Sequence, residues 1–304
     1  MRTAFIESLC RLAAKDERIW LLTGDLGYSV LERFRDAFPG RYVNVGVAEQ
    51  NMTGVAAGLA RCGKIVFTYS IANFPTFRCL EQVRNDVCHH ELPVKIVSVG
   101  GGLAYGPAGY THHGVEDFAV MQALPGITVV APGDPIEAQL ATEAIADSAG
   151  PCYLRLGKAG EPAVHAAAPP FALGKAIVLL EGRDVTFLST GGMLHKTMQT
   201  AQQLRESGID AGVMSMHTIK PLDAEAVRHV AETSRAVITV EEHSVTGGLG
   251  SAVADVLVQS DGSRPRFRKF GIPDRVYREI GSQAFLLRMA GDLAQLARSM
   301  VESA

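Results

Sequence analysis

Cysteine is scarce in this chain: Cys10, Cys62, Cys79, Cys88 and Cys152 are widely spaced among 304 residues, and no C-x-x-C occurs. That pattern excludes a disulfide framework and a cysteine-built zinc site, and it implies reduced thiols in a cytoplasmic protein. Basic runs are also lacking. No Lys/Arg run exceeds two residues, and 29 basic side chains against 32 acidic ones leave a net charge of −3. Nucleic acid and anionic membrane are therefore excluded as partners, whereas one or two placed arginines suffice for a small anionic substrate. No apolar run approaches the ~20 residues that span a bilayer. The N-terminus, Met1-Arg2-Thr3-Ala4-Phe5, opens an amphipathic pattern and carries no signal-peptide core. Neither G-K-[ST] nor G-x-G-x-x-G is present, so the glycines build no Walker or dinucleotide loop.

Hydrophobic residues make up 47% and charged residues 20%, enough apolar matter for a sizeable core. Short apolar runs alternate with helical periodicity. Phe5, Ile6, Leu9 and Leu12 share one face of a helix. Strands are expected at 19–22, 42–45, 65–69, 94–99, 127–130 and 153–156. After the Pro- and Ala-rich stretch EPAVHAAAPPF, a second set is expected at 176–180, 185–189, 211–216, 236–240 and 267–270. The alternation predicts two three-layer α/β domains with mostly parallel sheets, residues 1–160 and 173–304, joined by a linker over 161–172. No internal repeat is present.

Chemistry-bearing residues gather after predicted strands, where open α/β sheets bind ligands. In VGVAEQNMTGVAAGLA (45–60), Glu49 falls in the first turn of a helix. Acids there are favoured by the macrodipole and ordinarily face water. Here the helix entry is apolar, through Val45, Val47, Met52, Val55 and Leu59, so the carboxylate is expected to be partly buried and able to hold a proton. In YSIANFPTFRCLEQVRND (69–86), Phe74 and Phe77 are either core packing or a platform for a heteroaromatic ring. The loop GGGLAYGPAGYTHHGVED (100–117) has six glycines in its first fifteen residues and ends near His112 and His113, candidates for acid–base work. Arg155 ends a strand, where it either forms a structural ion pair or clamps a phosphate or carboxylate.

Taken in order, these segments resemble the transketolase family along nearly the whole chain. The first half resembles its thiamine-diphosphate pyrimidine-binding domain. MSMHTIKPLD (214–223) and EEHSVTGGLGSAV (241–253) resemble its C-terminal domain. The resemblance implies a two-carbon ketol or acyl transfer through a thiazolium ylide, with the cofactor as electron sink. It implies that Glu49 bonds the aminopyrimidine, that Phe74, or secondarily Phe77, stacks on it, and that Val47 and Asp25 line or approach it. His112, with His113 beside it, would handle substrate oxygens, and Arg155 would meet a substrate phosphate.

The family's Gly-Asp-Gly motif with a downstream Asn, which holds Mg²⁺ and the diphosphate through oxygen ligands, has no match here. Gly24-Asp25-Leu26 lacks the last Gly, and no Asn follows Ser260-Asp261-Gly262. No metal ligand is therefore expected in this chain. The resemblance instead implies a partner, an N-terminal-section subunit carrying the diphosphate site, in an α2β2 heterotetramer. Ala108 stands where the family usually has an acid that contacts a donor hydroxyl, and Gly100 where a phosphate-contacting histidine is common. The substrates are thus expected to be a sugar phosphate or a 2-oxo acid outside the usual pentose-phosphate pair. Two alternatives remain open at this point: the β chain of a 2-oxo acid dehydrogenase decarboxylating component, and a non-catalytic regulatory subunit.

Overall fold

The predicted apolar runs form strands, and those in the middle of each sheet are almost entirely buried. A computed structural model describes residues 1–262 and 264–302, and within them the strands are β1 (Ile19–Thr23), β2 (Tyr42–Asn44), β3 (Ile65–Ile71), β4 (Val94–Val99), β5 (Thr128–Val130), β6 (Cys152–Leu156), β7 (Ile177–Leu180), β8 (Val185–Ser189), β9 (Ala211–Ser215), β10 (Thr218–Lys220), β11 (Ala236–Ser244) and β12 (Arg266–Ile272). They make two sheets, ordered β10-β5-β6-β4-β3-β1-β2 and β12-β11-β8-β9-β7. Pairing is parallel throughout except at two edges, where β10 and β7 run antiparallel to their neighbours.

Helices cover both faces of each sheet, as continuous apolar strands require. Arg2–Ala13 and Pro135–Asp147 pack on one face of the first sheet, while Glu49–Arg61 and Asp117–Ala123 pack on the other. In the second sheet Leu194–Glu206 and Leu293–Glu302 lie opposite Ala224–Thr233 and Leu249–Gln259. Among the described residues no helix is long and apolar enough to cross a membrane.

Two features tie the halves of the chain together. Thr218–Lys220, too short and too polar to be read as a strand, adds to the edge of the first sheet beside β5, so the second half of the chain completes the first sheet. The stretch 161–172 has no regular structure, but it is pinned rather than free. Glu161 takes the N-terminal ammonium at 2.8 Å, Asp134 Oδ2 accepts the Val164 and His165 N–H groups at 2.8 and 3.0 Å, and Phe171 stacks on His217 with ring centres 4.0 Å apart.

The chain reverses its direction of growth across the first sheet at β1, which lies between β2 and β3. Loops leaving the carboxyl ends of β1, β2, β3 and β4 therefore converge on one edge, the position at which such sheets bind ligands.

Candidate functional site

Glu49 is the first residue of the helix Glu49–Arg61, and it is 1% exposed. The ordinary reading of a first-turn acid, a solvated side chain, does not hold for it. A Cβ on Gly24 would lie 3.4 Å from Glu49 Cγ, so the turn after β1 packs directly against this side chain. Asp25, at φ +57°, is held in that turn by Asn44: its N–H donates to Asn44 Oδ1 and its Oδ1 accepts from Asn44 Nδ2, each at 3.0 Å. Asp25 is itself exposed, and Val47, in the loop before the helix, is 73% exposed. Both lie at the rim of the Glu49 site.

The segment after β3 supplies an aromatic wall. Phe74, Phe77 and Arg78 line a cleft of about 500 Å³ together with Asn73, Tyr110, Thr111, His113 and Glu116. Arg78 Nη1 donates to Glu49 Oε2 at 2.7 Å, and its guanidinium carbon lies 4.6 Å from the centre of the Phe74 ring. Phe74 and Arg78 are four residues apart in the run of turns before Leu80, which brings a cation over a ring face. Asn73 Nδ2 donates to the Thr111 carbonyl, while Asn73 Oδ1 is buried without a partner.

The glycine-rich loop folds over the same edge and brings His112 to Phe74, ring centres 5.3 Å apart at 70°. His112 Nδ1 lies 3.0 Å from Thr111 Oγ1. His113 is buried, and desolvation pushes its imidazole below the usual range, so it is neutral near pH 7. A Cβ on Gly100, where φ is +68°, would lie 2.1 Å from the Tyr105 ring. Tyr105 fills the space a side chain at 100 would occupy. Ala108 is exposed on the short turn Gly106–Ala108.

Arg155 stands apart from this cleft and does not project freely from the sheet edge. It is 7% exposed, donates from Nη2 to the Glu242 carbonyl at 2.7 Å, lies 3.5 Å from Asp117 and packs 4.3 Å from the centre of the Phe118 ring. Arg155 is thus held in a structural ion pair at the domain junction, one of the two readings its sequence position leaves open. The second domain covers the end of β6, and a buried guanidinium there needs a counter-charge. Arg155 also lines a separate cavity of about 250 Å³ between the domains, with Lys158 and Lys196 at its walls. Lys158 is exposed and lies 4.8 Å from the centre of the Tyr105 ring.

The structure thus gathers Glu49, Phe74, Phe77, His112 and His113 on one edge, with Asp25 and Val47 at the rim. Sequence reading missed Arg78, Asn73, Tyr105, Tyr110 and Glu116. The i, i+4 spacing of Phe74 and Arg78 was the one local signal available, and nothing local pairs Arg78 with a carboxylate 29 positions away. Among the described residues no group of three or more His, Cys, Asp or Glu side chains is placed to hold a metal ion.

The family model described as "Transketolase, pyrimidine binding domain" matches residues 1–160, and that described as "Transketolase, C-terminal domain" matches residues 174–291. The chain is 42% identical over 275 residues to a subunit of the apulose-4-phosphate transketolase of Phocaeicola vulgatus, covering 90% of this chain and 87% of that protein. It is 40% identical over 292 residues to the 6-deoxy-6-sulfo-D-fructose transketolase subunit SqwH of a Clostridium species, covering 93% and 91%. A solved structure described as a split gene transketolase, inactive β4 tetramer, superposes with a TM-score of 0.90 at 38% identity, covering 100% of this chain and 97% of that one.

Proposed function

Because this chain belongs to the transketolase family, we propose that it is the pyrimidine-binding subunit of a split, thiamine-diphosphate-dependent enzyme that transfers a two-carbon ketol or acyl unit. Glu49 carries this reading: a fully buried carboxylate, set at the sheet edge beside Phe74 and an open cleft, suits an aminopyrimidine ring and has no evident purpose as a surface acid. Bound thiamine diphosphate supplies the electron sink for breaking and making the carbon–carbon bond. Glu49 would hydrogen-bond the aminopyrimidine and hold or return a proton there. Phe74 offers its ring face for stacking, with Phe77 beyond it, while Val47 and Asp25 border the pocket. His112, above Phe74, meets substrate hydroxyl or carbonyl oxygens, and neutral His113 shapes the same wall.

A partner chain supplies the Mg²⁺ and diphosphate site, in an α2β2 assembly. The relatives support this arrangement: two are named as subunits, and the solved relative is described as inactive in its β4 form. Their names favour a transketolase over the β chain of a dehydrogenase. They also support a substrate outside the standard pentose-phosphate pair, since one name carries a phosphate and the other a sulfo group on an unusual sugar. For an anionic substrate end, Lys158 and Arg155 are the cations at hand, Lys158 being the one exposed.

The test is deuterium exchange at the thiazolium carbon in the assembled complex. Glu49→Ala is expected to abolish exchange without unfolding the chain, and unchanged exchange refutes the role. The isolated chain should bind thiamine diphosphate and Mg²⁺ poorly in calorimetry. Micromolar binding by the chain alone overturns the split site. Xylulose 5-phosphate, hydroxypyruvate and pyruvate assayed in parallel as donors decide the substrate: by far the highest kcat/KM with xylulose 5-phosphate and ribose 5-phosphate makes this an ordinary split transketolase.

A further inference from the structure

The cleft described above is lined only by residues of the first domain, yet the second domain grips the loop that forms its roof. Glu242, near the end of β11, is 7% exposed. Its Oε1 accepts the Leu103 N–H at 2.7 Å, and its two carboxylate oxygens accept from Gln283 Nε2, each at 2.9 Å. The approach is tight: a Cβ on Gly102, where φ is +66°, would lie 2.5 Å from Glu242 Cγ. Two residues along the same strand, the Ser244 N–H donates to the Val115 carbonyl at 2.7 Å. Between these two anchors the loop closes on itself, Gly102 and Gly114 exchanging backbone hydrogen bonds at 2.8 and 2.9 Å. Leu103 and Val115 bury against Ile272, Tyr277 and Leu286 of the second domain.

The chemistry of Glu242 is more than packing requires. Arg155 bonds the main-chain carbonyl of Glu242, whereas the carboxylate is given to one loop N–H and one amide. Apolar residues alone could join two domains, and a buried carboxylate is costly unless its hydrogen bonds serve a placement. We propose that Glu242 is a positioning residue for the reaction: through Leu103 it fixes the loop from 103 to 115, and hence His112, against the ring of Phe74. The C-terminal domain thereby sets substrate handling while leaving cofactor activation to Glu49. This inference rests on the assignment of His112 to substrate.

Hydrogen exchange by mass spectrometry on the full chain, and kinetics on the partner-assembled complex with hydroxypyruvate as donor, test it together. In Glu242→Ala the amides of 101–114 should exchange on the order of tenfold faster, as expected for loss of a buried charge-assisted hydrogen bond. Exchange in β8 and β9 should not change. In the complex, kcat/KM should fall by about tenfold or more, while deuterium exchange at the thiazolium carbon stays at the wild-type rate. Glu242→Gln, which keeps an oxygen for the Leu103 N–H, should recover most of both losses. Gln283→Leu should move both readouts in the same direction by less, and it serves if Glu242→Ala does not fold. Unchanged loop exchange, a parallel fall in thiazolium exchange, or Glu242→Gln as damaging as Glu242→Ala each overturns the proposal. A wild-type complex without thiazolium exchange would instead refute the cofactor reading on which it stands.

Discussion

Arg78 Nη1 lies 2.7 Å from Glu49 Oε2, while the same guanidinium sits 4.6 Å from the centre of the Phe74 ring. One planar, hydrogen-bonding cation therefore takes both groups assigned to the aminopyrimidine. Arg78 is 45% exposed on its side chain and Glu49 only 2%. The arginine can swing into solvent at small cost, whereas the carboxylate cannot leave.

Arg78→Met should therefore tighten thiamine diphosphate binding in the assembled complex by about threefold to tenfold, since a half-exposed ion pair contributes on the order of 1 kcal/mol. Calorimetric titration with and without the substitution measures it. Weaker binding in the variant would show that Arg78 is a wall of the occupied pocket and not a competitor for it.

Phe74 and Phe77 line the same cleft but are not equivalent. Phe74 is partly buried, with the Arg78 guanidinium over its ring and the His112 ring packed nearly perpendicular to it, whereas Phe77 is 41% exposed. Phe74→Ala should cost up to about tenfold in cofactor affinity and Phe77→Ala less than about threefold, from the ~0.5–1.5 kcal/mol that ring stacking adds beyond burial. The reverse ranking would move the platform to the rim.

Burial pushes the His243 imidazole down to about 4, against the pull of Asp117. The unfolded imidazole takes its proton near 6.5, so between these values the folded state binds fewer protons and stability falls as pH falls. Relative to His243→Asn, wild type should lose on the order of 3 kcal/mol between about pH 7.5 and 4. Neighbouring Glu241, pushed up to about 7 by its own burial, contributes a slope of opposite sign. Glu241 Oε2 lies 3.8 Å from His243 Nδ1, so the comparison is made with Glu241→Gln in both proteins, which removes that slope. Urea unfolding across this range checks it, and a constant gap would deny the shift.

Lys95 is 0% exposed in the middle of the first sheet, with Nζ 2.7 Å from the Ser148 carbonyl and 2.6 Å from that of Gly150. It satisfies the chain as it leaves the helix Pro135–Asp147. Lys95→Met should destabilise the protein by about 1–3 kcal/mol, because two half-buried carbonyls lose their donor. A denaturation midpoint within error of wild type would show that water replaces the ammonium.

The sequence by itself determined the alternation of strands and helices, the placing of the candidate residues after strands, and the motif order that marks the family. Each is written locally: continuous apolar runs for strands and the roughly 3.6-residue period of helices, glycines where the backbone must turn, and short runs of fixed residue type. Tertiary structure alone decided the rest. The depth of Glu49 depends on the packing of Gly24 from another loop. Arg155 became a buried ion-pair partner because the second domain closes over the end of β6. Thr218–Lys220 became an edge strand because β5 offered unpaired backbone groups there. The hold of Glu242 on Leu103 joins residues 139 positions apart. Such contacts follow from which surfaces meet when two sheets assemble, and the local pattern of residues carries no record of that meeting.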